Sequence, residues 1–192
     1  TRLLNSEMSI IDFHLHAFPD KLAPRALSSL SEKGGGLVPC FDGTMNGLRR
    51  LMQQAGIRQG VVLSIATKPS QEQSVNRFAI ENNSPDLKFF GSIHPRSKRI
   101  KEQLRELKEG GISGIKFHPE YQQFNVDDPT MLPVYSLIAE MGFVTTFHAG
   151  LDVSYDQPGH IRPAALARAL PYFEGAPVIA AHFGGYMLWD EF

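Results

Sequence analysis

Short β-prone runs alternate along this chain with stretches whose apolar residues recur every three or four positions. Five of the runs end at a histidine: residues 8–13 lead into His14, 89–93 into His94, 112–117 into His118, 143–147 into His148 and 178–181 into His182, while a sixth stops near Ala66. Proline or a small residue directly follows His94, His118 and His148, and Gly184 comes two after His182, which is how a strand gives way to a loop. Between them, Leu48, Leu51, Met52 and Ala55 make one helical face. Ile100, Leu104 and Leu107 make a second, Met131, Tyr135, Ile138 and Met141 a third, and Ala165, Ala169 and Tyr172 a weaker fourth. Gly56, Gly110 and Gly142 stand where three of these helices should stop. A further helix is expected from Gln71 to Glu81 with Ser70 as its N-cap. Residues 17–43 show no strong period; a helix over 23–30 and a loop around Gly34, Gly35 and Gly36 are the expectation there.

Strand and helix in strict alternation call for a parallel sheet covered by helices, either an open doubly wound sheet or a closed (β/α)8 barrel. The last four histidine-ended runs are 24 to 34 residues apart, the length of one strand plus one helix. Six strands can be counted, and a full eight-unit barrel takes about 250 residues. The expectation is therefore one α/β domain over residues 1–192 that covers about six of eight βα units, with residues 1–7 as a tail.

Composition narrows the class of function. With 42% hydrophobic and 20% charged residues the chain can bury a sizeable core, and a net charge of −1 offers no electrostatic case for nucleic acid or an anionic membrane surface. No apolar stretch approaches the roughly 20 residues of a membrane span. The single cysteine, Cys40, excludes an internal disulfide and fits a reducing compartment, so a cytoplasmic protein is expected.

The histidines carry the chemistry. His14 and His16 form an H-x-H at a strand end, and alternation along a strand puts both imidazoles on one face. Imidazole is the commonest side-chain ligand for zinc and similar ions. Six of the seven histidines sit where a strand passes into a loop, and in parallel α/β folds ligands and catalytic groups gather at that carboxyl side. By the same alternation Asp12 shares a face with His14, and Lys116 shares one with His118, pointing into the barrel.

In their order and spacing, Ile11-Asp12-Phe13-His14-Leu15-His16, Gly114-Ile115-Lys116-Phe117-His118-Pro119, Phe147-His148-Ala149-Gly150 and Ala181-His182-Phe183-Gly184-Gly185 resemble the amidohydrolase superfamily. The likeness is greatest to its amidohydrolase-related branch of small metal-dependent hydrolases and decarboxylases. That resemblance implies a (β/α)8 TIM-type barrel with one or two divalent ions at its carboxyl face. It implies metal ligation by His14, His16 and His148, with His182 as the catalytic residue that holds substrate or water. Lys116 joins the ligands only if it is carboxylated and bridges two ions. Zinc is the expected metal, with manganese, iron or magnesium as substitutes. An aspartate after an eighth strand is also implied; Asp190 comes too early in the chain to match it. His118, His94 and Tyr121 are candidates for substrate contact, and Tyr155 and Arg162 lie in loops that could add to them.

Three functions compete on these residues. The first is hydrolysis of a small amide, lactone or ester through a metal-activated water; the second is non-oxidative decarboxylation on the same ligands; the third is a catalytically incomplete metal-binding fragment. The partner expected is a small-molecule substrate, with neither nucleic acid nor membrane. A homo-oligomer is expected because a six-stranded sheet has two open edges.

Overall fold

The computed structural model describes residues 10–155 and 159–191, so the expected tail at residues 1–7 lies outside the described residues. Six parallel strands run in sequence order: β1 (Ile10–Leu15), β2 (Ile57–Leu63), β3 (Leu87–Phe90), β4 (Gly114–Phe117), β5 (Val144–Phe147) and β6 (Val178–Ala180). Regular pairing forms two three-stranded groups, β1-β2-β3 and β4-β5-β6, and Gly91 joins them. Its N–H donates to Gly114 O at 2.9 Å, and its carbonyl accepts the Lys116 N–H at 2.8 Å.

Helices follow the strands in the order α1 (Ala23–Lys33), α2 (Met45–Gln54), α3 (Glu72–Asn82), α4 (Ile100–Glu109), α5 (Pro119–Gln122), α6 (Leu132–Glu140) and α7 (Pro163–Ala169), with α2 packed on β2, α3 on β3, and the short α5 lying across the strand ends. Leu48 and Met52 of α2 and Leu104 and Leu107 of α4 are buried, as their spacing requires. The fourth face shifts: Leu166, Ala169 and Phe173 are buried while Tyr172 is exposed, because the chain tightens into a 3-10 turn from Leu170 to Phe173. The start of α3 also differs from expectation. Ser70 lies inside a 3-10 turn (Pro69–Gln71), and the Gln71 side-chain oxygen takes the cap-like role, accepting the Thr67 and Lys68 N–H groups at 3.0 and 3.1 Å.

Alternation sorts β4 and β5 cleanly. Phe117 and Phe147 face outward, stacked with centroids 5.4 Å apart, into a layer with Tyr135 and Phe173, which stack at 4.7 Å. Each fully buried ring of this kind contributes roughly 1.5–3 kcal/mol through apolar area removed from water. Tyr135 hides a hydroxyl in that layer and satisfies it by donating to Val126 O at 2.9 Å. Lys116, His118, Thr146 and His148 face the other way, into the barrel.

Strand β1 departs from simple alternation. Its register against β2 slips between Asp12 and Leu15, a β-bulge of the kind found beside functional sites. Phe13 packs edge-on against Phe90 at 5.7 Å, on the side of Val61 and Leu63. The bulge breaks the parity that had put Asp12 beside His14. The Asp12 carboxylate accepts the His14 backbone N–H at 2.9 Å instead, an Asx-type turn that holds the bulge.

Candidate metal centre

The strand ends bring four imidazoles together. Ring centroids lie 5.1 Å apart for His14 and His16, 5.1 Å for His14 and His182, and 4.6 Å for His148 and His182. Three elements supply them: the bulged end of β1, the residue after β5, and the turn after β6. That turn is conformationally unusual, with φ of 58° at His182 and 54° at Phe183, a left-handed backbone that side chains other than glycine rarely adopt. It is held by the loop after β5: the Leu151 N–H donates to Tyr186 O at 2.9 Å, and the Tyr186 N–H to Ala149 O at 3.2 Å. Gly150 makes this contact fit, since a Cβ there would stand 2.1 Å from the Tyr186 nitrogen.

Proton placement on two of these rings leaves a lone pair available to a cation. The Nδ1 of His16 is 3.0 Å from Leu63 O and must donate to it, because a carbonyl can only accept; its Nε2 keeps the lone pair. Likewise His148 Nε2 lies 3.3 Å from Leu151 O, which leaves His148 Nδ1, 3.1 Å from His182 Nε2, as the lone-pair nitrogen. Loss of hydration first, and then the Lys116 charge, lowers the His14 pKa to about 3. Burial, His118 and Lys116 lower His148 to about 3. His16, although it faces solvent at the open edge of the sheet, and His182 move in the same direction. All four rings are thus neutral near pH 7, the form in which imidazole binds a metal.

Beneath them lies Lys116, fully buried and with no hydrogen-bond partner for Nζ among the described residues. Thr146, its neighbour in register on β5, is equally short of a partner for Oγ1. Desolvation lowers the lysine to about 7, so the inward amine expected from the sequence carries a much weakened hold on its proton.

His118 is placed at this cluster but enclosed. It stacks on Tyr121 at 3.9 Å and on His148 at 4.1 Å, its Nε2 is 3.3 Å from Asp152 Oδ2, and its Nδ1 accepts the Tyr121 N–H at 3.5 Å. Neither nitrogen is left for a substrate. Tyr121 and Tyr155, 6.0 Å apart, flank the same corner. His94 is fully buried with Nδ1 accepting the Arg96 N–H at 3.1 Å, and no ring contact links it to the other histidines among the described residues. Strand β3 stops at Phe90, four residues before it, so His94 belongs to the loop rather than the strand end. Arg162 is paired with Glu191.

Two acidic residues were not foreseen. Asp152 is buried, and burial alone would raise its pKa, yet the His118 imidazole and the Ser154 amide hold it at about 2. Glu120 is also buried and bonds His160 Nδ1 at 2.7 Å. The spacing His148-Ala149-Gly150-Leu151-Asp152 was the available signal for the first. The second depends on a contact between residues forty positions apart. His118, His148 and Asp152 offer one ligand atom each within 4.8 Å of one another. The two imidazole planes, however, are within 12° of parallel, so their in-plane lone pairs run side by side instead of converging.

The amidohydrolase family model matches residues 11–191. The chain belongs to the amidohydrolase family. It is similar to 4-sulfomuconolactone hydrolase of Rhizobium radiobacter, 26% identical over 177 residues, which are 90% of this chain and 52% of that protein. The chain therefore spans about half the length of the curated relative it matches. Among solved structures, a TIM-barrel protein of Bordetella bronchiseptica superposes with a TM-score of 0.72 at 21% identity, over 95% of this chain and 70% of the other. A 2,6-dihydroxybenzoate decarboxylase, solved with 2,6-dihydroxybenzoate, superposes with a TM-score of 0.64 at 15% identity over the same shares. At these identities the two structures establish the fold: a TIM-type barrel, of which the six parallel strands are a part.

Proposed function

We propose that the protein is a metal-dependent hydrolase that opens a small lactone or ester, or cleaves the related amide, with His14, His16 and His148 as metal ligands. One observation carries the reading. Neutral imidazoles from three strand ends meet here, and in His16 and His148 the ring proton points to a backbone carbonyl, which leaves the other nitrogen of each with its lone pair. A divalent ion bound there, zinc by preference and manganese, iron or magnesium otherwise, polarises a carbonyl and activates a water at neutral pH. The similarity to a lactone hydrolase supports a C–O bond over the C–N alternative.

The side chains then divide the work. His182 is exposed beside His148, and with its pKa lowered by burial and the Lys116 charge the ring is unprotonated near neutral pH, free to take a proton from water and pass it to the leaving oxygen. Tyr121 and Tyr155 supply an apolar wall with polar tips at the mouth. Lys116, if protonated in the complex, offers the only buried positive charge among these residues to a substrate carboxylate. If carboxylated, it adds a ligand and makes room for a second ion.

Metal analysis of the purified protein tests the centre. Close to one equivalent of divalent metal should be present and should fall below a tenth of that in His14→Ala; no metal in either protein overturns the reading. For the reaction, a panel of lactones and esters should be hydrolysed with incorporation of oxygen from labelled water. Release of CO2 from a small carboxylic acid without that incorporation would make the protein a decarboxylase instead.

A further inference from the structure

We propose that Asp152 is the positioning carboxylate of this centre: it takes the Nε2 proton of His118 and sets a negative oxygen beside the Nε2–H that His148 donates to Leu151 O, and so keeps His148 Nδ1 turned toward the ion. The inference rests on the metal-centre reading above. Asp152 lies in the loop after β5, 8% exposed. Its Oδ1 accepts the Ser154 N–H at 2.8 Å, and its Oδ2 stands 3.3 Å from His118 Nε2 and 3.8 Å from His148 Nε2.

The oxygens that stand beside His148 Nε2 are both acceptors. Leu151 O, at 3.3 Å from His148 Nε2, cannot donate, and neither can an ionised carboxylate. A lone pair on His148 Nε2 would therefore meet two repelling oxygens, which places the proton there and the lone pair on Nδ1. The same logic fixes His118, whose Nδ1 accepts the Tyr121 N–H. His118 packs between Tyr121 and His148, so the carboxylate orients a three-ring stack through one oxygen. Carboxylates behind ligating imidazoles commonly act this way, and losing one typically weakens metal binding 10–100-fold.

The loop does not need Asp152 to hold its course. The Gly150 N–H donates to Ile161 O at 3.3 Å, Leu151 N–H to Tyr186 O at 2.9 Å, and Val126 N–H to His160 O at 3.0 Å, while Glu120 clamps His160. Asp152→Asn should accordingly fold with little change.

Cobalt(II) is the probe, titrated into the metal-free protein and followed by its visible ligand-field absorption. Asp152→Asn should bind it 10–100-fold more weakly than wild type with bands at unchanged wavelengths, and Asp152→Glu should recover part of the loss. Long-range 1H–15N spectra of the metal-free wild type should show His148 protonated at Nε2. Unchanged affinity in Asp152→Asn overturns the proposal. So do displaced bands, which would make Asp152 a direct ligand in the group with His118 and His148, and so does a His148 proton on Nδ1. A wild type that takes up no cobalt refutes the metal centre itself, and the tautomer spectrum then tells whether Asp152 still orients the ring.

Discussion

Lys116 shows most clearly how one residue couples stability to the site. Its amine is fully buried and unpartnered among the described residues, and desolvation lowers its pKa to about 7. In the unfolded chain a lysine holds its proton up to about pH 10.4. Between these values the unfolded state binds more protons than the folded one, so stability must rise with pH across that window, by about 1.4 kcal/mol for each unit of depressed pKa. Denaturant titrations of the metal-free protein at pH 7 and pH 9 should show the increase. Lys116→Met, which fits the same volume without the charge, should flatten it and be the more stable protein at pH 7. Equal slopes in the two proteins would mean that Nζ has a partner in solution, a carboxylated or anion-bound form included.

Among the elements, the short helix α5 matters beyond its four residues. From it Gln122 reaches across the strand ends, donating through Nε2 to Ala66 O at 3.1 Å and Ile93 O at 3.0 Å and accepting the His118 N–H at 2.9 Å. One side chain thus ties together the chain beyond β2, β3 and β4. Replacing it by leucine strands three buried backbone groups, at about 1–3 kcal/mol for each that finds no water. Gln122→Leu should unfold at a clearly lower urea midpoint, and its cobalt affinity should fall as well, since His118 loses its backbone anchor. A midpoint unchanged from wild type would show that water replaces the amide. None of this was legible beforehand, because Gln122 has no motif around it and its partners lie 29 and 56 residues away in sequence. The strands and most helices were legible, because a strand end marked by histidine and a helix face spaced by three and four are local signals. Where local signals misled, a local exception was the cause: the bulge after Asp12 undid its parity with His14, and the 3-10 turn at Leu170 moved the buried position from Tyr172 to Phe173.

At the scale of the whole chain, β1 and β6 are the edges of the six strands among the described residues, with Ile10 47%, Ile11 57% and Phe13 40% exposed along β1 and Phe183 96% exposed beyond β6. Unpaired strand edges beside apolar side chains recruit other chains. We expect the 192-residue chain to self-associate in solution, with a light-scattering mass at least twice that of the monomer at micromolar concentration. Ile10→Lys and Ile11→Lys together should return it toward a monomer. A monodisperse monomer of the unmodified chain would show that these edges are covered intramolecularly.

Sequence alone determined the alternation of strand and helix, the family, and the residue types at the carboxyl face, because hydrophobic period and histidine position are properties of neighbours along the chain. Only the tertiary structure decided how those histidines are used. Which ring nitrogen carries the proton depends on Leu63 O, Leu151 O and the Asp152 carboxylate, and whether His118 is free depends on Tyr121 and Asp152 closing around it. Such choices are made by partners that meet only when distant strand ends come together, and an imidazole in isolation has no preference strong enough to announce them.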